Sequence, residues 1–158
     1  MHYWLFKSEP SAFSIDDLSN RPKQTAHWDG VRNYQVRNML RDDIKKGDLA
    51  FFYHSSCTPP GIAGVMEVTS AGYPDFTAWD IDSPHYDAGC SPEQPRWMMV
   101  DVKLLKKFPR LLTLDEIKRQ PALKNMLILR KGNRLSITPI TKTAWDTIVR
   151  LAARGAEK

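Results

Sequence analysis

The sequence has little cysteine and no long apolar segment. Cys57 and Cys90 are its only cysteines, and neither belongs to the C-x-x-C pairs that are typical of zinc sites and dithiol redox motifs. No apolar run approaches the roughly 18 residues that cross a bilayer, and the N-terminus MHYWLFKSEP does not read as a signal peptide. We therefore expect no membrane partner, a cytoplasmic location and two free thiols.

Motifs for catalysis and for cofactors are also missing. Gly132 belongs to no phosphate-binding loop, because the pattern G-x-x-x-x-G-K-[ST] does not occur. His85, Asp87 and Cys90 share a loop but lack the second pair of ligands that a metal site needs. A nucleophile and a base come close together only in HSSC (54–57), where turn residues follow at once, and such proximity is weak evidence. We expect no metal, no cofactor and no enzymatic activity.

The charge that is present is unevenly distributed. The chain of 158 residues carries a net charge of +5. Residues 1–100 hold 9 Lys+Arg against 13 Asp+Glu, whereas residues 101–158 hold 14 against 5. A basic half favours an anionic partner, nucleic acid foremost, although a solvated basic surface explains the charge equally well. The length suits one domain, and no linker or repeat divides it, so a single domain over 1–158 is predicted.

The hydrophobic pattern predicts several strands and a few helices. Five segments rich in aromatic and β-branched residues are predicted strands: HYWLFKS (2–8), LAFFYHS (49–55), GIAGVMEVTSAGY (61–73), RWMMVDVKLLKKF (96–108) and RLSITPI (134–140). Ser14 caps a short helix, and Thr113 with Glu116 forms a capping box for another. Apolar residues at helical spacing predict an amphipathic helix over 32–44, and a last helix is predicted over 141–155.

The connections complete the predicted fold class. The segment 20–30 is interpreted as a polar loop, and 73–95 as a long loop of the kind that is functional or mobile. Strands and helices do not alternate as in βαβ units. The sequence therefore predicts an α+β fold, a mostly antiparallel, strongly curved sheet or small barrel with helices packed on it.

The junction WDGVRN (28–33) stands out as a candidate binding site. Trp28 lies in a polar setting, where its indole either packs into the core or stacks on a ligand. Gly30 would let a ligand or another backbone come close. Asn33 either caps the following helix or presents its amide to a planar heterocycle.

Eight ordered motifs connect this junction to a known family. They run from residue 3 to about residue 150: YWLFKSEP, FSIDDL, WDGVRNYQVRNML, GDLAFFYHSSC, PGIAGVMEV, YPDFTAWD, PRWMMVDV and RLSITPI. Together they resemble the EVE domain family. The resemblance implies a PUA-like fold, a pseudo-barrel of strands with flanking helices, similar to YTH domains and to domains that read modified cytosine. In such relatives a pocket beside the first strand and the following helix accepts a flipped, modified base.

The resemblance also implies which residues form that pocket. Carried over onto this chain, they are Lys7, Ser8, Trp28, Asn33, Tyr53, Ser55, Arg134 and Ser136. Structural roles are open alternatives for several of them, because Lys7 and Ser8 can simply end a strand and Tyr53 can belong to the core. The basic half supplies candidate phosphate ligands: Lys106, Lys107, Arg130 and Lys131, with Arg134 beside them.

The sequence thus predicts a non-enzymatic reader of a modified base in DNA or RNA, acting as a monomer or weak homodimer. An enzyme acting on modified nucleotides or bases, with His54 and Cys57 as the nearby reactive groups, is the alternative from another class. A small-molecule binding module is the third.

Overall fold

The computed structural model describes residues 1–155 and has a seven-stranded sheet at its centre. The strands are β1 (Tyr3–Ser8), β2 (Thr25–Trp28), β3 (Leu49–His54), β4 (Gly61–Val68), β5 (Tyr73–Pro74), β6 (Met98–Thr113) and β7 (Ile137–Ile140). Their order is β2-β6-β4-β3-β1-β7, with β5 on the start of β6. Only β1 and β3 run parallel among the described pairs, which confirms the α+β, mostly antiparallel prediction. Residues 156–158 of the predicted domain lie outside the described residues.

Four short or medium helices flank the sheet. They are α1 (Ile15–Ser19), α2 (Tyr34–Asn38), α3 (Leu114–Lys118) and α4 (Lys142–Gly155). The predicted capping box at Thr113 and the predicted cap at Ser14 are both present. Within residues 1–155, none of the helices has both the length and the apolar character to cross a bilayer.

The helix predicted over 32–44 differs in its second half. Asn33 caps α2, so the helix begins at Tyr34, and after Asn38 it continues as a π-helical turn, Met39–Asp43. The N–H of Ile44 donates to the carbonyl oxygen of Met39 at 2.8 Å, a bond that spans five residues instead of four.

The sheet curls until its two ends approach each other without closing into a barrel. β2 lies at one end of the strand order, and three strands separate it from β1. Even so, the ring of Trp28 on β2 meets Phe6 on β1 and Phe52 on β3, each with ring centroids 5.3 Å apart. The first strand and the Trp28 junction are therefore neighbours in space.

Alternation along the strands divides the core between the two faces of the sheet. Phe52 belongs to the inner cluster with Phe6 and Trp28, whereas Phe51 and Tyr53 point to the other face. On that outer face Trp145 of α4 stacks on Phe51 with ring centroids 3.8 Å apart. Both sides of β3 are buried, as its continuous apolar sequence requires.

Two connections are more regular than the sequence suggested. The predicted polar loop 20–30 contains β2, all four residues of which pair with β6. The side chains of Ala26 and Trp28 face inward, and those of Thr25 and His27 face outward. Two inward residues are too short a pattern for a strand to be recognised from sequence. The loop 73–95 contains β5 and a 3-10 turn, Phe76–Trp79, and buries Cys90 against Trp97.

Candidate functional site

Two adjoining clefts open where the ends of the curled sheet approach. We call the larger one, about 450 Å³, the indole cleft; it is lined by Lys7, Ser8, Ala12, Phe13, Arg21, Pro22, Thr25, Ala26, His27, Trp28, Asp29 and His85. We call the smaller one, about 300 Å³, the Asn33 cleft; it is lined by Lys7, Trp28, Asp29, Gly30, Val31, Arg32, Asn33, Arg134 and Ser136. Lys7, Trp28 and Asp29 belong to both, so they form the wall between the two clefts.

Trp28 is at once a core residue and part of the cleft. It is only 7% exposed, and the rings of Phe6, Phe13 and Phe52 pack against it in edge-to-face arrangements. The indole therefore forms a fixed floor, with little free surface for a ligand to cover. Stacking of a base on this indole stays a prediction.

Lys7 is a partly buried cation at the boundary between the two clefts. Its backbone N–H donates to the carbonyl oxygen of Ser136 at 2.8 Å, which fixes the end of β1 between the two clefts. Burial lowers the pKa of its ammonium group. Within residues 1–155 its side chain takes part in none of the ion pairs or hydrogen bonds found. A partly desolvated cation of this kind favours an incoming acceptor.

Hydrogen bonds within the protein already use part of the polar capacity of Ser8 and Asn33. The hydroxyl of Ser8 donates to the carbonyl oxygen of Phe13 at 2.6 Å, so its oxygen is left as an acceptor. The side-chain oxygen of Asn33 accepts from the N–H of Val36 at 3.0 Å, which confirms the capping role. The amide NH₂ of Asn33 is the group that remains for a ligand.

A buried carboxylate from the long loop shapes the junction. Asp75 is fully buried and accepts hydrogen bonds from the N–H of Gly30 at 2.9 Å and from Arg32 at 3.1 Å. Burial opposes ionisation of Asp75, but hydrogen bonds from Thr77, Gly30 and Arg32 outweigh it and lower the pKa of this carboxyl. The guanidinium of Arg32 also donates to the carbonyl oxygen of His85.

These contacts place a histidine ring against Gly30. Gly30 has φ +81°, and a Cβ atom there would lie 2.6 Å from Cε1 of His85. The close approach that the sequence led us to expect at Gly30 is therefore made by a side chain of the same chain. His85 becomes one wall of the indole cleft.

Several cleft residues were not among the predicted pocket residues. Arg21 places its guanidinium 5.4 Å from the ring centroid of Phe13, and Asp29 lies 3.6 Å from the imidazole of His27. Asp29 could have been found as the neighbour of Trp28 in the WDGVRN junction. Nothing local marks His85, which is 55 residues from Gly30 along the chain and reaches the cleft only through tertiary structure.

The structure brings some of the predicted pocket residues together and leaves others out. Arg134 and Ser136 line the Asn33 cleft. Tyr53 does not line either cleft; it is buried in the outer cluster, and burial raises the pKa of its phenol to about 12. Ser55 donates its backbone N–H to Ser8 at 2.9 Å but is also outside both linings. Alternation along β3 turns Tyr53 to the face of the sheet opposite the clefts. A role of Tyr53 and Ser55 in binding a base stays a prediction.

The predicted phosphate ligands are surface residues beyond the clefts. Lys106 and Lys107 are exposed on β6, and Lys107 pairs with the exposed Asp16 of α1. Arg130 and Lys131 are exposed in the segment that leads to Arg134. Contact between any of them and phosphate stays a prediction.

The two reactive groups of HSSC are engaged separately. The Nε2 atom of His54 accepts from the N–H of Ile15 at 3.2 Å, and the thiol of Cys57 lies 3.5 Å from the carbonyl oxygen of Pro59. No hydrogen bond joins His54 and Cys57 among residues 1–155. Within the same residues no group of three or more His, Cys, Asp or Glu is arranged to hold a metal ion.

Comparison with known proteins places this geometry in a family. Residues 2–151 match the sequence profile of the EVE domain. Human thymocyte nuclear protein 1 is 43% identical over 166 residues, which span 94% of this chain and 73% of the human protein. A crystal structure of a Pseudomonas putida protein has a TM-score of 0.88 at 47% identity and covers 95% of this chain and 99% of that one.

One similar structure contains a ligand. The structure of human THYN1 protein in complex with 5-methylcytosine-containing DNA has a TM-score of 0.88 at 43% identity, covering 96% of this chain and 98% of that one. The matched EVE profile includes every strand of the sheet and all residues of both clefts. This chain belongs to the EVE domain family.

Proposed function

We propose that this protein binds nucleic acid and holds one modified base, turned out of its strand, in the indole cleft without altering it chemically. The observation that carries the proposal is the partly buried ammonium of Lys7 beside Trp28 and Asp29 in an open cleft of about 450 Å³. That volume falls within the range of about 300–1,000 Å³ that is usual for small-ligand sites. The DNA complex of the related human protein supports the class of ligand.

The cleft offers opposite polar groups to the edge of a planar ring. The carboxylate of Asp29 accepts hydrogen bonds, as an exocyclic amino group requires, and the ammonium of Lys7 donates to a carbonyl oxygen or ring nitrogen. Cytosine carries such an amino group beside acceptors. A base with a different edge would leave these groups unpaired, at a cost of about 1–3 kcal/mol each.

A methyl group on the base would be recognised by the apolar part of the lining. Ala12 and Phe13 supply apolar surface in the indole cleft. An added methyl gains only about 1–3 kcal/mol in an apolar pocket, so the modification adjusts an affinity that the polar groups and the phosphates set. We therefore expect the domain to prefer a modified base over the unmodified one without excluding the unmodified one.

Binding of the strand itself would depend on salt. Exposed basic side chains outside the clefts, such as Arg130 and Lys131, would neutralise phosphates on either side of the bound base. Each such contact contributes about 0.7 to the slope of log K against log salt for a single strand. Replacing Lys131 by alanine should lower that slope by about this amount without changing the preference for a modified base.

The test is titration of the protein with single-stranded oligonucleotides that contain cytosine or 5-methylcytosine at one position. Fluorescence anisotropy at about 50 and about 200 mM salt gives both the affinity and the salt slope. Lys7→Met removes the cleft ammonium with little change in side-chain length and should weaken binding about tenfold, the usual value of one charge-assisted hydrogen bond.

A pair of serine variants provides a matched control. Ser8 lines the indole cleft and Ser55 does not, although the two are joined by a backbone hydrogen bond. Ser8→Ala should reduce the affinity for the modified oligonucleotide, and Ser55→Ala should leave it unchanged. If Lys7→Met and Ser8→Ala bind every oligonucleotide as the parent protein does, the indole cleft is not the binding site.

The enzymatic alternative has less support than the reader. His54 and Cys57 are engaged with Ile15 and Pro59, so neither activates the other in this conformation. Binding without turnover is therefore the function proposed, and recovery of an unchanged modified base after prolonged incubation would support it. A cytoplasmic location and a monomeric or weakly dimeric state stay predictions from the sequence.

A further inference from the structure

An exposed aromatic ring stands at the rim of the indole cleft. Phe76 is 45% exposed, and its ring lies edge-to-face on the imidazole of His27, with centroids 5.2 Å apart. His27 lines the indole cleft. Ile81 and Tyr86 of the same loop are 76% and 44% exposed, so this loop presents apolar surface to solvent next to the site.

A capped turn holds the backbone at Phe76. This residue begins the 3-10 turn Phe76–Trp79, which Asp75 caps by accepting a hydrogen bond from the N–H of Thr77 at 2.9 Å. The same buried carboxylate holds the N–H of Gly30. The backbone of the turn that carries Phe76 and the backbone of the cleft junction are therefore held by the same carboxylate.

Charges of both signs lie on the same side of the sheet. Thr25 and His27 share the outer face of β2, and Thr25 pairs with Lys103 of β6. Lys103 is exposed, as is Arg21 at the cleft. Because residues opposite each other on neighbouring strands project to the same side, this face carries Lys103 beside Asp101, the partner of His27, whose carboxylate accepts a hydrogen bond from Tyr73.

We propose that Phe76 is a wedge that enters the base stack of duplex DNA at the position vacated by the base bound in the indole cleft. The inference rests on the function proposed above and names the form of DNA that the site takes. Removing a base from a duplex costs stacking and pairing energy and leaves a gap. An apolar side chain inserted into such a gap restores contact with the neighbouring bases, whereas a single strand has no gap to fill.

The experiment compares the same 5-methylcytosine oligonucleotide alone and paired with its complement. Phe76→Ala should weaken binding of the duplex about tenfold or more, the loss expected for one aromatic–base stacking contact. Binding of the single strand should change less than about twofold, since its base enters the cleft without leaving a gap. Phe76→Leu keeps an apolar wedge and should retain most of the duplex affinity.

Fluorescence of 2-aminopurine provides a second measurement of whether Phe76 enters the base stack. A 2-aminopurine placed beside the methylated cytosine brightens when it loses a stacking neighbour. With the parent protein it should stay dim, because Phe76 covers it, and with Phe76→Ala it should brighten once enough protein is added to saturate the duplex. Thermal unfolding of both variants shows whether they fold like the parent.

The outcomes separate this proposal from the one on which it rests. Binding of the single strand without binding of the duplex would overturn the wedge and leave the cleft reader intact. Equal losses for single strand and duplex in Phe76→Ala, or no loss in either, would also overturn it. Failure of the parent protein to bind any of these oligonucleotides would overturn both proposals.

Discussion

The packing of His85 on Gly30 allows a sharp test of how the cleft is built. Gly30 and Gly132 have nearly the same φ angle, +81° and +82°. A Cβ atom at Gly132 would meet nothing within 4 Å, whereas at Gly30 it would lie 2.6 to 2.9 Å from three atoms of the His85 ring. Alanine would meet the same unfavourable φ at both positions, but only at Gly30 would its Cβ collide with His85.

The magnitudes follow from this comparison. Alanine in the left-handed region costs about 1–2 kcal/mol, and the reduced freedom of the unfolded chain returns about 0.4–1 kcal/mol of that. Gly132→Ala should thus lower the free energy of unfolding by about 1 kcal/mol. Gly30→Ala must in addition displace the His85 ring by about 1 Å, and such overpacking costs about 1–3 kcal/mol more. The expected total at Gly30 is about 2–4 kcal/mol.

Urea unfolding gives the free energy of unfolding of both variants, and the same two substitutions combined with His85→Ala complete a double-mutant cycle. In the background of His85→Ala, the excess cost of Gly30→Ala over Gly132→Ala should disappear, which gives a coupling of about 1–3 kcal/mol between Gly30 and His85. For a chain of this size, each kcal/mol corresponds to about 2–4 °C in melting temperature. Equal destabilisation by Gly30→Ala and Gly132→Ala would refute the packing of His85 on Gly30.

Three further predictions concern charged groups. Lys7→Met should keep or raise the free energy of unfolding in urea at neutral pH, because burial disfavours the ammonium and lowers its pKa; a clear loss of stability would contradict this. Asp75→Ala should lower the free energy of unfolding by about 3–5 kcal/mol, since it leaves Arg32 and the N–H of Gly30 without their acceptor, and an effect below about 1 kcal/mol in the same assay would show that this carboxylate does not organise the junction. Hydrogen bonds from Arg110 lower the pKa of Glu116 from its ordinary 4.5 to about 2 in the folded protein. The ionised carboxylate of Glu116 therefore stabilises the fold fully above pH 4.5, and this stabilisation is lost as the pH falls through the pKa of the folded state. The stability advantage of the wild type over Glu116→Gln should shrink between about pH 6 and about pH 3, and an advantage independent of pH would contradict the ion pair.

The local capping and strand patterns were predictable because they depend on residues close in sequence. Ser14 and Thr113 bond to residues three positions away, and both caps are present. Asn33 was expected either to cap or to bind, and its oxygen caps α2. β2 was not predicted, because an edge strand with two inward residues has almost no periodic hydrophobic pattern.

The clefts were predictable only in part. The eight motifs located Lys7, Ser8, Trp28 and Asn33, which lie around the two clefts, but they also suggested Tyr53, which alternation along β3 turns to the other face. A resemblance in sequence transfers positions along the chain and says less about which face a side chain occupies.

The sequence by itself determined the family, the α+β class and the position of the junction, because these depend on ordered motifs and on periods of a few residues. Only the tertiary structure decided that His85 walls the cleft, that Asp75 holds the junction and that Phe76 stands at its rim. Those contacts join Gly30 and His27 to a loop about fifty residues away, and they form only because the curled sheet and buried carboxylate bring the two segments together. Hydrogen bonds to a buried charge and the close packing of rings depend on that geometry, which no local pattern encodes.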